Sequence, residues 1–506
     1  MNPTKIFFFG KYYINSSLVL IPILSGVISA ASFILSWAPL FFLGTFLFVY
    51  SLSNKTYKVA DVVGFSYGVG YYTVGLFWLF VVEDAHQAEN LYVLYGLVFV
   101  AIFLLAIPFS ISAVLITLVP TNRRSTLTWS ILVVVPILVL HEWFKTWYFS
   151  GFPWLQASHL FVDPFYGGWF AILGDVGSSF FIYFLISIAV YASMVMYQWQ
   201  KILAVCVPML LLFILVTMLV GKVDYNMITD IESLQVQIIN DQHVQNNNYD
   251  ARLKRIRVYQ KTAELGEGVD ISIWPESSTG GVFGELEKDT LRGFDILEGK
   301  NIEVFFGGYT REGLSVHNSI ISSRKMEAVY TKQHLVPVGE YMPSWFSLLD
   351  SLIPSLYNDS VTYSNPKLSQ SFRYKNIGIA PMICYEVLFG DELRKRAKQA
   401  NILFYISNLE EIRLNWVKEY FFKVARVRAM ELQKPLIQST NMGVSAFISD
   451  KGEIIKTAST KQISIISRVQ PKVGDTPFSR FGYFLIVGIS IFMLLCAYVL
   501  VFFRGR

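Results

Sequence analysis

Long apolar segments are the feature of this sequence that most restricts how it can fold. A membrane span needs about 20 mostly apolar residues, and the chain contains eight segments that we predict to be spans. They cover approximately residues 15–33, 35–52, 61–82, 91–119, 127–147, 166–196, 202–221 and 481–503. The third to sixth also carry Gly, Ser and some charged residues, as helices packed in a polytopic bundle do. Charged residues make up only 16% of the chain, so much of it is predicted to face lipid or other helices.

The basic residues of the short connecting segments predict the orientation of these spans. Lysine or arginine occurs before the first span and after the second, fourth, sixth and last, at Lys5, Lys11, Lys55, Lys58, Arg123, Arg124, Lys201, Arg504 and Arg506. With eight spans, all these segments lie on one side of the membrane, which the positive-inside rule identifies as the cytoplasm. We therefore predict cytoplasmic termini and an extracytoplasmic location for the long segment before the last span.

The spans divide the chain into three predicted parts. Residues 1–221 form an N-terminal membrane bundle of seven spans, residues 222–478 a soluble domain, and residues 479–506 a C-terminal transmembrane helix. The middle part is long enough to fold around its own core. It alternates strand-like and helix-like segments and contains hairpin patterns, which predict a layered α/β domain. Within it, Asp391 is predicted to be the N-cap of a helix.

Composition and cysteine spacing argue against several classes of function. No Lys/Arg-rich run with interleaved aromatic residues occurs, so nucleic acid is not an expected partner. Two of the three cysteines, Cys206 and Cys496, lie in predicted spans, which leaves Cys384 as the one cysteine of the soluble domain. That domain therefore cannot form an internal disulfide. No CxxC pair or Cys/His cluster has the spacing of metal ligands, and we expect no cofactor.

Three polar residues follow apolar strands of the soluble domain: Glu276 after ISIWP, Lys332 after AVYT and Cys384 after IAPMI. A single glutamate or lysine on a loop is more often simply solvated, and a cysteine at a strand end is more often part of the core. Together, however, the three supply a base, a cation and a thiol, which acyl transfer needs. The main-chain amide of Tyr385 could supply a second donor to an oxyanion. His334, two residues after Lys332, is assigned no role.

Several motifs resemble those of a known family. IWPESS (273–278), KQHLVPVGEYMP (332–343) and MICYEVLF (382–389) resemble the three catalytic segments of the nitrilase superfamily. More narrowly, they resemble the apolipoprotein N-acyltransferase family, which is its membrane-bound branch. SGFPWLQ and ARVRAMELQKPLIQSTNMG resemble further segments of that family, so the resemblance covers nearly the whole chain. It implies a nitrilase-like four-layer αββα sandwich for residues 222–478.

The resemblance also implies roles for individual residues. Glu276 corresponds to the general base, Lys332 to the oxyanion stabiliser and Cys384 to the nucleophile. The residues that support this triad in the family correspond to Glu340, Tyr385 and Glu386. No metal takes part in the implied site.

The implied reaction is a ping-pong acyl transfer at the outer side of a bacterial inner membrane. The Cys384 thiolate takes an acyl chain from a phospholipid donor as a thioester, and the N-terminal amine of a diacylglyceryl-lipoprotein then accepts it. This reaction is the final step of bacterial lipoprotein maturation. The implied partners are the phospholipid, the diacylglyceryl-lipoprotein and the surrounding membrane lipids. The enzyme is expected to be a monomer with its catalytic domain in the periplasm.

Two alternatives belong to different classes of protein. The same triad would serve a membrane-tethered amidase or nitrilase-type hydrolase, in which water replaces the amine. A transporter or receptor with a degenerate nitrilase-like domain would be expected to lack at least one member of the triad, and all three are present. The predicted bundle of eight spans and the SGFPW segment favour the transferase over the hydrolase.

Two further segments bear on how lipid would reach the site. The apolar stretch PSWFSLLDSLIPSLYNDS (343–360) fits either a buried helical hairpin or an interfacial arm with its apolar face in lipid. The turn SNLEEIRLNW (407–416) departs from the family pattern, because it keeps Asn408 but has Leu409 and Glu411 near the expected aspartate and tryptophan. The altered turn bears on substrate gating or acceptor choice, whereas the triad itself is expected to be unaffected.

Overall fold

The computed structural model describes residues 8–9, 12–13, 16–53, 55–82, 88–119, 126–196, 198–228, 231–242, 249–283, 288–313, 315–337, 339–341 and 371–504. The apolar stretch at 343–360 lies outside these residues, so both of its interpretations stay predictions. The chain forms two compact units, one from 1–161, 173–222 and 483–506 and the other from 162–172 and 223–482. Residues 162–172, which the predicted boundaries assign to the bundle, thus pack in the second unit, where Gly167 lies against Met430.

Apolar helices dominate the first unit. Among the described residues, six helices are long and apolar enough to cross a membrane: Ser17–Ile34, Tyr57–Val81, Tyr95–Leu118, Thr126–Lys145, Gly167–Val195 and Gln200–Val220. Two shorter apolar helices are Ala38–Leu52 and Phe484–Leu500. These helices coincide with the predicted segments, and the prediction of a polytopic helical bundle is confirmed. Short 3-10 turns occur at Phe77–Val81, Tyr148–Ser150 and Ala157–Leu160.

Glycine lets two of these helices approach each other closely. A Cβ atom added to Gly26 would lie 2.1 Å from the carbonyl oxygen of Tyr67, and one added to Gly70 would lie 2.1 Å from that of Ile23. Any larger residue would force the two backbones apart, which is why small residues are enriched at contacts between membrane helices. The glycines that make the third predicted span less apolar therefore have a packing reason.

Two six-stranded sheets form the framework of the second unit. The first has the strand order Ser464–Val469, Leu234–Ile239, Ile271–Ile273, Glu303–Glu312, Ser315–Ser322, Glu327–Thr331. The second has the order Ile454–Thr457, Ala446–Ile448, Leu436–Asn441, Ile402–Asn408, Ile377–Ile383, Phe372–Tyr374. The central strands of each sheet are parallel and the outer pairs antiparallel. A separate two-stranded ladder joins Asn226–Ile228 to Lys472–Gly474.

The two sheets enclose one apolar core between them, and their central strands are buried on both faces. Ile273 and Phe305 of the first sheet and Ile379, Phe404 and Ile437 of the second belong to this core. Burial on both faces explains why these strands read as continuous apolar runs rather than as an alternating pattern.

Helices cover the outer faces of the sheets. Tyr249–Glu264 and Lys288–Gly299 lie on the first sheet, where the Trp274 ring lies 5.5 Å from that of Phe294. Gly390–Arg396 and Asn415–Leu432 lie on the second sheet. The resulting layers are helix, sheet, sheet and helix, so the predicted αββα sandwich is confirmed.

The prediction for Asp391 is wrong. The helix begins at Gly390 and its N-cap is Phe389, so Asp391 lies inside the first turn. Its carboxylate pairs there with Arg394 at 2.7 Å and with Lys395 at 2.7 Å. An acidic residue in the first turn still favours the helix, since it interacts with the positive end of the helix dipole.

Candidate active site

The three residues singled out at strand ends lie together in the second unit. They follow the strands Ile271–Ile273, Glu327–Thr331 and Ile377–Ile383. The Glu276 carboxylate and the Lys332 ammonium both act electrostatically on the Cys384 thiol, and they also act on each other. The fold therefore brings a thiol, a carboxylate and an ammonium from distant parts of the chain into one cluster.

Cys384 occupies a sharp turn between a strand and a helix. Strand Ile377–Ile383 passes directly into the short helix Cys384–Leu388. The φ angle of Cys384 is 51°, in the left-handed region that residues with a side chain rarely adopt. Strained backbone of this kind clusters at active sites. Cys384 itself is half-buried at this turn, between the buried residues Ile383 and Tyr385.

The surroundings of Cys384 keep its side chain protonated at rest. Burial raises the pKa of the Cys384 thiol well above its ordinary value, and the Glu276 and Glu340 carboxylates raise it further, while the Lys332 ammonium opposes them. Because the thiolate is the reactive form of cysteine, the nucleophile has to lose its proton to a base during attack. Glu276 is the carboxylate that acts most strongly on this thiol, so it is the candidate base for that proton.

The Glu276 carboxylate is buried and held by two donors. Asn318 Nδ2 donates to Oε1 at 2.7 Å, and the main-chain nitrogen of Asn408 donates to Oε2 at 2.8 Å. Burial raises the pKa of Glu276 above its ordinary value, although Lys332 and the two donors act in the opposite direction. A carboxylate with a raised pKa is a stronger base, and so is better matched to the proton of a thiol.

Lys332 is a buried cation with a fixed direction. Its side chain is only 1% exposed, and Nζ donates to Glu340 Oε1 at 2.7 Å. Burial by itself would lower the pKa of Lys332, but Glu340, Cys384 and Glu276 together raise it above its ordinary value. The ammonium therefore stays charged at neutral pH. A fixed cation in a desolvated site can stabilise negative charge on an oxygen far better than a solvated one.

Glu340 orients Lys332 from a closed turn. Its Oε1 accepts from Lys332, and its Oε2 accepts from the main-chain nitrogen of Val336 at 2.8 Å. The main-chain nitrogen of Glu340 in turn donates to the Val336 carbonyl at 2.9 Å. These bonds hold the Glu340 carboxylate in the position from which it accepts the Lys332 hydrogen bond.

Glu386 joins the nucleophile turn to the segment that follows Lys332. It is fully buried. Its Oε2 accepts from the main-chain nitrogen of Ile383 at 2.8 Å. Its Oε1 accepts from the main-chain nitrogens of Gln333 and His334 at 2.8 and 3.2 Å. One carboxylate therefore holds the backbone on both sides of the site.

Arg396 and Tyr330 balance the charge of Glu386. Arg396 Nη1 lies 3.3 Å from Oε1, and the Tyr330 hydroxyl donates to the same oxygen at 2.7 Å. The Arg396 guanidinium also lies 5.6 Å from the centre of the Tyr330 ring. A buried carboxylate needs such partners, because an unpaired charge would be costly away from water.

Tyr385, beside the nucleophile, belongs to a group of packed rings. Its ring centre lies 5.2 Å from that of Phe389 and 5.7 Å from that of His334. Burial raises the pKa of Tyr385, so its phenol is neutral. The group forms an apolar wall next to Cys384.

Sequence reasoning missed Asn318 and the contact that Asn408 makes. Asn318 lies in the strand Ser315–Ser322, beside the polar residues His317 and Ser319, so nothing local to the sequence marks it out. Asn408 was recognised as a retained residue of the altered turn, but its main-chain bond to Glu276 joins residues 132 positions apart. The altered turn thus contacts the triad, which the sequence did not indicate.

The described residues offer no cluster for a metal. No group of three or more His, Cys, Asp or Glu side chains among them could hold a metal ion. The polar side chains of the site are instead bonded to one another, as in the ion pair of Lys332 and Glu340.

Comparisons with known proteins cover both units. The family profile described as apolipoprotein N-acyltransferase N-terminal domain matches residues 25–188, and the one described as carbon-nitrogen hydrolase matches residues 233–477. Apolipoprotein N-acyltransferase from Haemophilus influenzae is 27% identical over 99% of this chain and 98% of its own length. The enzymes of that name from Pasteurella multocida and Rickettsia prowazekii are 28% and 24% identical, over 89% and 95% of this chain and 88% and 97% of their own.

Solved structures similar to this chain include a nitrilase-superfamily protein and an amidase. Nit3 from Saccharomyces cerevisiae, a member of branch 10 of the superfamily, is 15% identical, with a TM-score of 0.37 over 47% of this chain and 91% of its own. An amidase from Nesterenkonia sp. is 10% identical, with a TM-score of 0.34 over 51% of this chain and 97% of its own.

Proposed function

The chain belongs to the apolipoprotein N-acyltransferase family, and from this premise we propose how its residues acylate a lipoprotein. The protein is a multi-pass membrane acyltransferase whose acceptor is a lipoprotein. The amidase alternative is not favoured, because relatives that align along nearly the whole chain are acyltransferases.

The first half-reaction loads an acyl chain onto Cys384. Glu276 takes the thiol proton, and the sulfur attacks the carbonyl carbon of a phospholipid ester. The resulting tetrahedral oxyanion is stabilised by the Lys332 ammonium. When the carbon–oxygen ester bond breaks, Glu276 returns the proton to the leaving oxygen. The products are a thioester on Cys384 and a lysophospholipid.

The second half-reaction passes the acyl chain to an amine. The N-terminal amine of a diacylglyceryl-cysteine attacks the thioester carbon, and a carbon–nitrogen bond replaces the carbon–sulfur bond. Glu276 accepts the proton released by the amine and Lys332 again stabilises the oxyanion. The sulfur leaves as a thiolate, and the proton held by Glu276 restores the resting thiol.

The supporting residues keep these groups in register. Glu340 aims the Lys332 ammonium, and Glu386 fixes the backbone around Cys384 and around the segment after Lys332. Tyr385 contributes to the apolar wall where a lipid chain would lie. Such prior ordering counts in catalysis, since a group that is already placed needs no reorganisation during the reaction.

The location follows from the charge of the connecting segments. We assign the protein to a bacterial inner membrane, with both termini in the cytoplasm and the catalytic unit in the periplasm, because its basic connecting segments all fall on one side. The donor is a phospholipid of that membrane. We also propose that the enzyme acts as a monomer.

The observation that carries this proposal is the cluster formed by Cys384 at its strained turn, the Glu276 carboxylate held by Asn318 and Asn408, and the buried ammonium of Lys332. The charges of Glu276 and Lys332 both act on the Cys384 thiol. A core cysteine needs no such charged neighbours, whereas a base, a cation and a thiol in one cluster are what the acyl-enzyme mechanism requires.

Labelling with an acyl donor tests the proposal. The purified full-length enzyme is mixed with a phospholipid whose acyl chain is labelled, and label on the protein is measured before and after a diacylated lipopeptide is added. Wild-type enzyme should carry the label and pass it to the peptide amine. Cys384→Ser should carry none, because an alkoxide is much harder to form than a thiolate at neutral pH.

A matched variant makes the result specific. Cys496→Ser removes another free cysteine, which lies in the last apolar helix, and should leave labelling unchanged. Label on Cys384→Ser, or no label on the wild type, would rule out the thioester. Release of the label only as free fatty acid would support the hydrolase instead.

A further inference from the structure

His334 contacts the helical segment that follows the nucleophile. Its Nδ1 lies 2.9 Å from Glu392 Oε1 in helix Gly390–Arg396. Its ring is stacked on that of Phe389, with 3.5 Å between the ring centres and 22° between the planes. His334 itself follows Lys332 by two residues, so these contacts connect the lysine segment to the nucleophile segment through side chains.

The hydrogen bond of this pair has a definite direction. Burial would raise the pKa of Glu392, but His334, Arg396 and Lys395 lower it below its ordinary value. Glu392 is therefore ionised at neutral pH and can only accept. His334 must donate from Nδ1, and it does so both as the neutral tautomer with a proton there and as the imidazolium.

His334 contacts two residues that border the nucleophile, Tyr385 and Glu386. Its main-chain nitrogen donates to Glu386 at 3.2 Å, and its ring centre lies 5.7 Å from that of Tyr385. Arg396 is ion-paired with Glu386 at 3.3 Å, and both Arg396 and Lys395 act electrostatically on Glu392. The backbone bond to Glu386 fixes where the segment runs, whereas the side-chain bond to Glu392 fixes the ring against the aromatic wall.

We propose that His334 and Glu392 form a positioning pair for the first half-reaction. The pair holds the segment that follows Lys332, and the apolar wall that contains Tyr385, in fixed positions relative to Cys384. The pair acts through those residues and takes no proton from the substrate. It rests on the proposed function in one respect, namely that Cys384 is the residue acylated. Because it sets distances between groups that are already bound, its loss should slow acylation more than it weakens lipid binding.

Three variants separate the hydrogen bond from the ring. His334→Phe keeps a ring for stacking but has no donor, His334→Asn restores a donor near the Nδ1 position, and Glu392→Ala removes the acceptor. Asp391→Ala is the matched control, because Asp391 is the preceding acid on the same helix and pairs with Arg394 and Lys395 instead. All are made in the full-length enzyme and assayed by single-turnover transfer of a labelled acyl chain from phospholipid to protein.

His334→Phe and Glu392→Ala should each slow acyl-enzyme formation about three- to tenfold, the effect of losing one hydrogen bond of ordinary net strength. The phospholipid concentration at half-maximal rate and the melting temperature should stay near wild type. His334→Asn should recover part of the rate. The double variant should be no slower than either single one, because both remove the same bond. Asp391→Ala should acylate at the wild-type rate.

Wild-type acylation rates in both His334→Phe and Glu392→Ala would overturn the inference. So would additive losses in the double variant, or losses that only follow a lower melting temperature and that His334→Asn does not relieve. These outcomes are distinct from failure of the proposed function, which would appear as an absence of label on Cys384 in the wild-type enzyme.

Discussion

The ion pair of Lys332 and Glu340 allows the catalytic role of Lys332 to be separated from its structural role. Lys332→Met keeps an unbranched side chain of similar length but removes the ammonium. The carboxylate of Glu340, 2.7 Å away and 15% exposed, is then left without its cation. The substitution therefore has two consequences, one for folding and one for catalysis.

The structure sets the size of each consequence. Removing one partner of a buried ion pair costs about 3–5 kcal/mol of stability, and the partial exposure of Glu340 places the expected loss near the lower end, about 3 kcal/mol. Loss of one group that stabilises an oxyanion lowers the rate by about 10²–10³-fold. The Cys384 thiol is also harder to ionise without the cation, because Lys332 is the charge that lowers its pKa.

Three variants resolve the two effects: Lys332→Met, Glu340→Gln and the double variant. Single-turnover labelling of the protein by a phospholipid with a labelled acyl chain measures acylation, and chemical denaturation of the purified enzyme measures the free energy of unfolding. The double variant removes both members of the ion pair, so Glu340 is no longer left as an unpaired charge and we expect most of the lost stability to return. Its acylation should stay about 10²-fold or more below wild type, because the oxyanion still lacks its cation.

Recovery of acylation in the double variant would refute this reasoning. It would mean that Lys332 serves only to neutralise Glu340 and that the oxyanion is stabilised by other donors. A Lys332→Met enzyme that is as stable as wild type would refute the structural half, since the Glu340 charge would then have found water or another partner.

Three other perturbations test separate parts of the structure. Glu276 must be ionised to take the proton of Cys384, and burial raises the pKa of Glu276 above the ordinary 4.5. Acylation by the wild type should therefore decline as pH falls, with a midpoint above pH 4.5. A decline centred below that value would contradict the assignment. The bond from Asn318 lowers the pKa of Glu276, so Asn318→Ala should move this decline to higher pH, and an unmoved pH profile of labelling would count against the contact. In the membrane unit, Glu142→Gln leaves Lys145, 2.6 Å away and 3% exposed, as an unpaired cation. The single substitution should lower the free energy of unfolding by about 3 kcal/mol, and the double variant Glu142→Gln/Lys145→Met should regain most of that loss. Thermal unfolding measures both changes. A double variant no more stable than Glu142→Gln would rule out a stabilising ion pair.

The membrane part was predictable because its signal is local. A span is defined by its length and by the absence of charge, and both are properties of consecutive residues. The predicted segments accordingly coincide with the apolar helices of the structure. What the sequence did not indicate is the packing of 162–172 with the second unit, because an apolar segment does not identify its neighbours.

The candidate site was predictable in part for a similar reason. Glu276, Lys332 and Cys384 each follow an apolar strand, and loops held by a rigid sheet are where catalytic groups usually lie, so residue type and strand position suffice to single them out. That they meet was not predictable, because their strands belong to two different sheets. The flanking motifs added the family. The helix boundary near Asp391 was less predictable, because the actual N-cap, Phe389, has no side chain that could cap the helix and so leaves no capping signal in the sequence.

The sequence by itself determined the apolar spans, the layered α/β class of the soluble part and the residue types available for acyl transfer, because each depends on neighbours along the chain. Only the tertiary structure decided that Asn318 and the amide of Asn408 hold Glu276, and that His334 is paired with Glu392. These contacts join residues 42, 132 and 58 positions apart. Hydrogen bonds over such separations depend on strand order and register, which bring the groups within bonding distance only once both sheets have formed.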